Sequence, residues 1–514
     1  MTLSSRVLLI EDDIADQDAI RKRMVKDGFQ VDVLASSSRL EILNFTAKGD
    51  YFVVIVDEQL AGLPGEEQSG FRLILRCLWE YDSSMRFIHF SKYVKSYLHG
   101  EPHALPAIKF IGKTYYPAGD LTNDCLDQLA VSAQAYFVKQ IPTFRVHDYR
   151  ALLQNYCKDL VSCELNAHTV AAAIAAVKRS GELLSDIAIF ATALSRLGSR
   201  SDALTLGVFG SYGRMEASES SDIEFSVLFD SGNIDAAVNA WNRVFRYCRQ
   251  VHEISVEGEK KIGSLLTKEQ AIELAMAQHL NVPPNAFVPV YCPDVIFDVV
   301  NQSSYPHLLF RHYQILAEMC PAFNPDLLDA IKMRIVGYDP SVKKMNTREI
   351  FLAKRMEMIC YQAFTFVSED SQRSDESKFK ALLFRRVGVL AFRVMLIHHA
   401  KNEQYLFTKG EVARMFQLLA APPIIKLQIA REAFRSHPPI DDLFVRLITT
   451  CAVAFDVYMS RTTTAARLKT FREDVHQQFA DLFDALERDP CKDFAGSGAW
   501  IFDRSKDVRN GAFA

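Results

Sequence analysis

Short apolar runs alternate with helix-like stretches along the first part of the chain. Five β-rich runs succeed one another: VLLI, QVDVLA, YFVVIVD, MRFIHFS and AIKFIG. Strands that alternate with helices form parallel sheets whose two faces are covered by those helices. The pattern therefore predicts a doubly wound parallel sheet over residues 1–140.

The pattern changes after Pro142 and divides the rest of the chain into three segments. Residues 141–200 include the alanine-rich stretch AHTVAAAIAAVKRSGELLSDIAIFATALSRLGS, which predicts a helical connector. Strand-like LTLGVF and IEFSVLF open a second α/β unit over residues 201–338. Residues 339–514 have the pattern of a C-terminal helical bundle. The predicted fold class is multidomain, with α/β and all-α parts.

Composition narrows the class of protein. The 514 residues include 49% apolar and 24% charged residues, as in ordinary globular domains. The 59 basic and 63 acidic residues give a net charge of -4, which provides no global electrostatic footprint for nucleic acid. No apolar run reaches the roughly 18 residues of a membrane span, and the ten cysteines form no CxxC pair. We therefore expect a cytoplasmic protein without membrane or clear DNA binding, a disulfide framework or a cysteine zinc site.

Carboxylates follow two of the predicted strands in the first unit. Glu11 and Asp12 end the first strand, VLLIED, and Asp57 ends the third, VVIVD. The carboxyl ends of parallel strands meet at one edge of the sheet. Clustered carboxylates repel unless a hard cation neutralises them, and Mg²⁺ takes oxygen ligands while keeping waters and a phosphate. The three residues are therefore candidate Mg²⁺ ligands, and the arrangement suits an aspartyl phosphate on Asp57.

The fourth and fifth predicted strands contribute a hydroxyl group, an aromatic ring and a cation. Ser91 ends IHFS, and Phe110 and Lys113 lie in FIGK. A hydroxyl group and an ammonium group can bind the oxygens of a phosphoryl group. We therefore add Ser91 and Lys113 to the candidate site.

Together these residues resemble the signature of receiver domains from two-component response regulators. The resemblance covers residues 1–140 and implies a flavodoxin-like sheet, phosphorylation of Asp57 by a cognate histidine kinase or phosphotransfer protein, and movement of Ser91 and Phe110 on phosphorylation. Thr114 replaces the usual proline, and the segment GLPGEEQSG is longer than usual. Two alternatives stay open: the polar residues only cap strands, or the domain no longer accepts phosphate.

The second α/β unit carries its own set of candidate residues. Gly210 and Ser211 follow one strand, and Asp222 and Glu224 alternate at the start of the next, which puts both carboxylates on one face. Paired carboxylates can hold the Mg²⁺ ions that bridge a nucleoside triphosphate. The glycine allows close backbone approach, the serine and nearby amides can bind phosphates, and Arg214 can add a charge-assisted contact.

The segment GSYGRMEASESSDIE resembles the hG[GS]…[DE]h[DE] motif of the DNA polymerase β nucleotidyltransferase superfamily, in the form of PII uridylyltransferase-like proteins. The resemblance spans about 130 residues and implies transfer of a nucleoside monophosphate from an NTP. The second acid is glutamate where aspartate is commoner. For the third carboxylate, which activates the acceptor in this superfamily, we favour Glu257; the alternatives are Glu253, Asp294 and Asp298.

The helical C-terminal segment offers three cations that could contact a triphosphate, although a solvated helix face explains them more simply. They are Lys378, Lys380 and Arg385. The apolar stripe of the predicted connector could pair in a homodimer, and packing on a flanking domain explains it equally well.

The leading hypothesis is a response regulator in which phosphorylation of Asp57 controls a Mg²⁺-dependent nucleotidyltransferase with an unknown acceptor, be it protein, RNA or small molecule. The main alternative is a signalling adaptor whose transferase-like domain binds nucleotide without turnover. A third hypothesis is a nucleotidyltransferase toxin acting on tRNA, for which the sequence provides no basic stripe.

Overall fold

The structure is a computed structural model of the chain. It describes residues 4–35, 51–60, 69–80, 86–92, 108–116, 119–138, 149–196, 204–229, 234–256, 265–277, 290–291, 314–336, 420–432, 434–460 and 464–488, with five single positions between 379 and 391.

A five-stranded, all-parallel sheet forms the centre of the N-terminal part. The strands are β1 Arg6–Ile10, β2 Gln30–Leu34, β3 Val53–Val56, β4 Phe87–Ser91 and β5 Ile108–Gly112. Their order in the sheet is β2-β1-β3-β4-β5, the order of flavodoxin-like doubly wound sheets. The prediction of a parallel α/β sheet in this part of the chain is confirmed.

Helices cover both faces of this sheet, which explains why its strands are apolar throughout. The helices are α1 Ile14–Lys26, α2 Gly70–Glu80 and α3 Asn123–Val138. Ile55 of β3 packs in a buried cluster with residues of α1 and α3. Its neighbours Val54 and Val56 pack in a second cluster with residues of α2. The alternation along β3 therefore divides the core between the two faces.

Two helices follow, α4 Tyr149–Ser162 and α5 Ala167–Arg196, within the segment predicted to be a helical connector. The chain divides into two compact units. The first contains Met1–Val146, Ile187–Ser201 and Asn242–Ile254, and the second contains His147–Asp186, Asp202–Trp241 and Ser255–Ala514. The finer division into four domains stays a prediction.

A second, mixed sheet lies in the second unit. Its strands are β6 Leu204–Phe209, β7 Glu224–Phe229, β8 Val290–Tyr291 and β9 Cys320–Phe323. The order is β8-β7-β6-β9, with β6 antiparallel to β7 and β9 and with β7 parallel to β8. The short helix α6 Gly210–Gly213 connects β6 to the segment that leads into β7.

The remaining described helices are α7 Ile234–Val251, α8 Lys268–Ala277, a π-helix over Gln314–Glu318, α9 Pro325–Val336, α10 Pro423–Glu432, α11 Pro438–Met459 and α12 Ala465–Arg488. Helices α11 and α12 pack against each other, and α10 packs on α11. None of the helices in the described part of the chain combines the length and the apolarity that a membrane crossing needs.

Candidate functional site

Three carboxylates meet at the carboxyl edge of the parallel sheet. Strands β1 and β3 are neighbours in register, so the residues that follow them are brought together. The Asp57 amide donates to the Ile10 carbonyl oxygen at 3.0 Å. Glu11, Asp12 and Asp57 each present an oxygen within 4.8 Å of the others, the one such group of potential metal ligands found among the residues described. The structure thus assembles the acid group that the sequence predicted.

Burial makes the Glu11 and Asp57 carboxyl groups costly to ionise. It raises the pKa of Glu11 to about 7; the Lys113 ammonium opposes that rise, and the charge of Asp57 adds to it. Burial also raises the pKa of Asp57, again against the Lys113 charge. A divalent cation would remove the repulsion and stabilise both anions, so the donor set fits a hard metal ion such as Mg²⁺.

The Lys113 ammonium provides the positive charge at this edge of the sheet. Its backbone amide donates to the Ser91 carbonyl oxygen at 2.9 Å, which extends the pairing of β4 and β5. The Nζ atom lies 2.6 Å from Glu11 Oε2 and 3.2 Å from Asp57 Oδ1. Burial disfavours the ammonium, but the carboxylates of Asp57 and Glu11 outweigh it and raise the pKa of Lys113. The side chain therefore stays charged beside the candidate phosphoacceptor.

Asp16 also contacts this ammonium, and the sequence analysis missed it. Asp13 begins α1 as its N-cap, with Oδ1 accepting from the amides of Ala15 and Asp16. The first turn then places the buried Asp16 carboxylate 2.8 Å from Lys113 Nζ. An acidic residue in the first turn of a helix is usually explained by its favourable interaction with the helix dipole. The sequence spacing alone therefore did not predict the contact between Asp16 and Lys113.

Ser91 ends β4, as the sequence predicted, and Phe110 is the middle residue of β5. Ser91 is fully buried and pairs with Gly112. The Phe110 ring packs on the His89 ring at 5.4 Å between centroids and on Phe71 at 5.6 Å. The aromatic group thus belongs to a partly polar cluster.

Glu58 gives this aromatic cluster its polar component. Its Oε2 lies 2.8 Å from His89 Nε2 and accepts from the Phe71 amide at 3.0 Å. Both Glu58 and His89 are buried. The residue after the candidate phosphoacceptor is therefore connected to the ring that packs on Phe110, a contact that the sequence analysis also missed.

Backbone hydrogen bonds join the two ends of the long segment that follows Asp57. Gln59 forms an antiparallel bridge with Ser69, and the Gly70 amide donates to the Glu58 carbonyl oxygen at 2.8 Å. A Cβ atom on Gly70 would lie 1.8 Å from the Asp57 carbonyl oxygen, so only glycine fits here. Residues 61–68 lie outside the described part of the chain.

Thr114, at the position where the resemblance to receivers predicts a proline, hydrogen-bonds to Thr122. Its Oγ1 lies 2.6 Å from Thr122 Oγ1, and its carbonyl oxygen accepts from the Thr122 amide at 3.1 Å. Tyr115 and Leu121 form an antiparallel bridge next to it. These contacts define the backbone path from Lys113 into α3.

No family model and no curated protein matches the chain.

In the second unit, the turn that follows β6 lies close to the side chain of Glu224. Register pairs Phe209 with Glu224, and Gly210 has a φ of +68°. A Cβ atom on Gly210 would lie 2.7 Å from Glu224 Cδ. The left-handed backbone favours glycine at this position, and the absence of a Cβ leaves room for the Glu224 carboxyl group.

The other predicted acid, Asp222, lies two residues earlier, just before β7 begins at Glu224. Between Asp222 and Glu224, the buried Ile223 donates its amide to the Ser255 carbonyl oxygen at 2.9 Å and forms a parallel bridge with Val256. The segment that leads to Glu257 therefore runs beside the acidic strand.

The candidates for a third carboxylate are mostly outside the described residues. They include Glu257, Asp294 and Asp298. Glu253 is described: it is exposed, has a φ of +56° and belongs to the first unit. Lys378, Lys380 and Arg385 are also outside the described residues.

Arg214 has different surroundings from those predicted for a phosphate ligand. Its guanidinium contacts Glu216 Oε2 at 3.2 Å and Glu318 Oε2 at 3.0 Å, and all three side chains are buried. Burial raises the pKa of Glu216 to about 8, opposed by Arg214 and by Lys426. The guanidinium is thus engaged by two protein carboxylates, while Ser211 is half-buried in α6. The phosphate contacts of both residues stay predictions.

Proposed function

We propose that the chain is a response regulator whose N-terminal sheet is a receiver, phosphorylated on Asp57, that controls a Mg²⁺-dependent nucleotidyltransferase. The observation that carries the proposal is the group of Glu11, Asp12 and Asp57 beside the Lys113 ammonium. This group supplies a nucleophilic carboxylate, oxygen ligands for a cation and a fixed positive charge.

Phosphorylation in this proposal is a simple exchange of bonds. An Asp57 oxygen attacks the phosphorus atom of a phosphohistidine on the donor, the nitrogen–phosphorus bond breaks, and the leaving imidazole nitrogen takes a proton. Bound Mg²⁺, held by Glu11, Asp12 and Asp57, would neutralise charge on the phosphoryl oxygens. Lys113 offers a further charge-assisted contact to the same oxygens. The partner is a histidine kinase or a phosphotransfer protein.

Labelling by a small phosphodonor tests the receiver. With acetyl phosphate and Mg²⁺, the wild-type protein should acquire acid-stable, base-labile label, and Asp57→Asn should acquire none. The matched control Asp18→Asn, an exposed residue on α1, should be labelled like the wild type. Undiminished label in Asp57→Asn would contradict the assignment.

For the second unit, we propose transfer of a nucleoside monophosphate from an NTP. The Glu224 carboxylate lies against the Gly210 turn, with Asp222 two residues earlier, just before the strand begins, which suits metal-assisted binding of a triphosphate. An acceptor oxygen attacks the α-phosphorus and pyrophosphate leaves. The bridge between Ile223 and Val256 supports Glu257 as the carboxylate that activates the acceptor.

Transfer can be tested with α-labelled NTPs and a cell lysate as the source of acceptors. Label on a protein, RNA or small molecule should appear with the wild type and disappear with Asp222→Ala. Glu219→Gln is a suitable control because the Glu219 side chain is 90% exposed in the same loop. Absence of any Asp222-dependent product from all four NTPs would refute the transferase.

A signalling adaptor is the second candidate function, and the surroundings of Arg214 favour it. Two buried glutamates contact Arg214, the cation that the motif predicts for the phosphates of the nucleotide. Calorimetry with NTP and Mg²⁺ separates the candidates when it accompanies the transfer assay. Binding that needs Asp222 without any turnover supports the adaptor.

A further inference from the structure

Asp16 is a buried carboxylate that touches the site lysine without belonging to the metal group. Its Oδ2 accepts a hydrogen bond from Lys113 Nζ at 2.8 Å, although 97 residues separate the two in sequence. The metal-ligand group of the described residues contains Glu11, Asp12 and Asp57, and not Asp16. Asp16 therefore contacts the cation of the site and lies outside the candidate metal group.

Tyr115 holds Asp16 in turn. Its hydroxyl group donates to the same Oδ2 atom at 2.5 Å. Burial and this hydrogen bond raise the pKa of Tyr115, so the hydroxyl keeps its proton and stays a donor. The ammonium of Lys92, an exposed residue, stands over the Tyr115 ring at 4.1 Å from its centroid. A chain of contacts thus runs from a surface lysine to the lysine beside Asp57.

A lysine ammonium carries three donors on a flexible stem, so its position depends on what those donors contact. Glu11 and Asp16 lie 2.6 Å and 2.8 Å from Lys113 Nζ, whereas the Asp57 oxygen lies at 3.2 Å. The two shorter contacts fix the ammonium, and the longest one is directed to a carboxylate oxygen of Asp57, the residue proposed to be phosphorylated.

We infer that Asp16 and Tyr115 are positioning residues for phosphoryl transfer, holding the Lys113 ammonium where it meets the phosphoryl oxygens on Asp57. The inference rests on the proposed receiver function. It assigns Asp16 a role in the rate of transfer and none in metal binding. A displacement of about 1 Å of a charged group near the reacting atoms can lower the rate of the reaction strongly.

Two conservative variants test the inference, and each has a matched control. At saturating acetyl phosphate, Asp16→Asn should lower the rate of Asp57 phosphorylation about tenfold, and Tyr115→Phe about fivefold. The dissociation constant for Mg²⁺ in the absence of phosphodonor should stay within about threefold, because Asp16 is not a ligand. Asp18→Asn and Tyr116→Phe alter exposed neighbours and should leave the rate within about twofold.

A double-mutant cycle then distinguishes positioning from general destabilisation. In a Lys113→Met background, Asp16→Asn should have no further effect on the rate, because the residue through which it acts is gone. An equal fall in both backgrounds, or a wild-type rate in Asp16→Asn, would overturn the inference. If the wild type itself shows no Asp57-dependent label, the proposed receiver function fails, and the inference fails with it.

Discussion

At the scale of single residues, the protonation of Glu11 links the candidate metal site to pH. Burial raises its pKa to about 7, and a carboxyl group must lose its proton before it ligates a cation. Above this pKa the group is already ionised, and below it Mg²⁺ must displace a proton. We therefore expect the affinity for Mg²⁺ to fall by up to about tenfold per pH unit below pH 7 and to level off above pH 8.

Calorimetric titrations with Mg²⁺ at pH 6, 7 and 8 measure this dependence. The heat should also depend on the ionisation enthalpy of the buffer at pH 6, because protons are released on binding. Equal affinity at pH 6 and pH 8 would contradict the account of Glu11.

Gly70 is the residue at which a single added methyl group should disturb the acid group. Its Cβ would lie 1.8 Å from the carbonyl oxygen of Asp57, a backbone atom that cannot rotate away. We expect Gly70→Ala to lower the free energy of unfolding by about 1–3 kcal/mol, the usual range for overpacking. It should also slow labelling of Asp57.

Gly112→Ala is the matched control for this substitution in the same unit, because a Cβ at Gly112 would meet nothing within 4 Å. Urea unfolding followed by circular dichroism should place that variant within about 0.5 kcal/mol of the wild type. Equal free energies of unfolding for the two variants would contradict this expectation, because they would mean that the Asp57 backbone shifts to accommodate the added methyl group at little cost.

At the scale of elements, a network of charges holds helices of the first unit together. Both oxygens of Asp127, in α3, contact guanidinium groups: one contacts Arg23 of α1, and the other contacts Arg246 of α7 at 2.6 Å. Arg243 of α7 also pairs with Asp27, just after α1, at 3.0 Å. The last turns of α7 therefore interact with two helices of the parallel sheet.

Asp127→Asn should destabilise this arrangement because it leaves the guanidinium groups of Arg23 and Arg246 without their shared counter-charge. We expect a loss of about 2 kcal/mol in the free energy of unfolding, less than for a fully buried pair because the arginines are 18% and 12% exposed. Asp124→Asn, at an exposed position of the same helix, should have little effect in the same urea titration. If Asp127→Asn leaves the free energy of unfolding unchanged, this network of charges does not stabilise the first unit.

The sequence predicted elements better than it predicted their long-range contacts. The apolar runs predicted β1 to β5 because both faces of a parallel sheet are buried, and the strand ends then placed Glu11, Asp12 and Asp57 together. The contact of Asp16 with Lys113 and the contact of Glu58 with His89 were not predicted. Each joins residues that are far apart in sequence, and local periodicity does not predict such contacts.

At the scale of the whole molecule, two units carry two separate sets of candidate groups. The first contains the acid group and Lys113, and the second contains the Gly210 turn with Asp222 and Glu224. Arg214 illustrates what spacing cannot predict: its place in the motif suggested a phosphate ligand, whereas Glu216 and Glu318 contact it in the fold. The motif identified the neighbourhood of a candidate site but not the partner of every residue.

The central claim is that Asp57 forms an acyl phosphate, and chemical mapping of the phosphorylated residue tests it most directly. Borohydride reduces an aspartyl phosphate to homoserine, which peptide mass spectrometry locates. After treatment with acetyl phosphate and Mg²⁺, the account predicts homoserine at position 57 and nowhere else. Homoserine at Asp12, at Asp16 or at no position in a protein that carries label would contradict it.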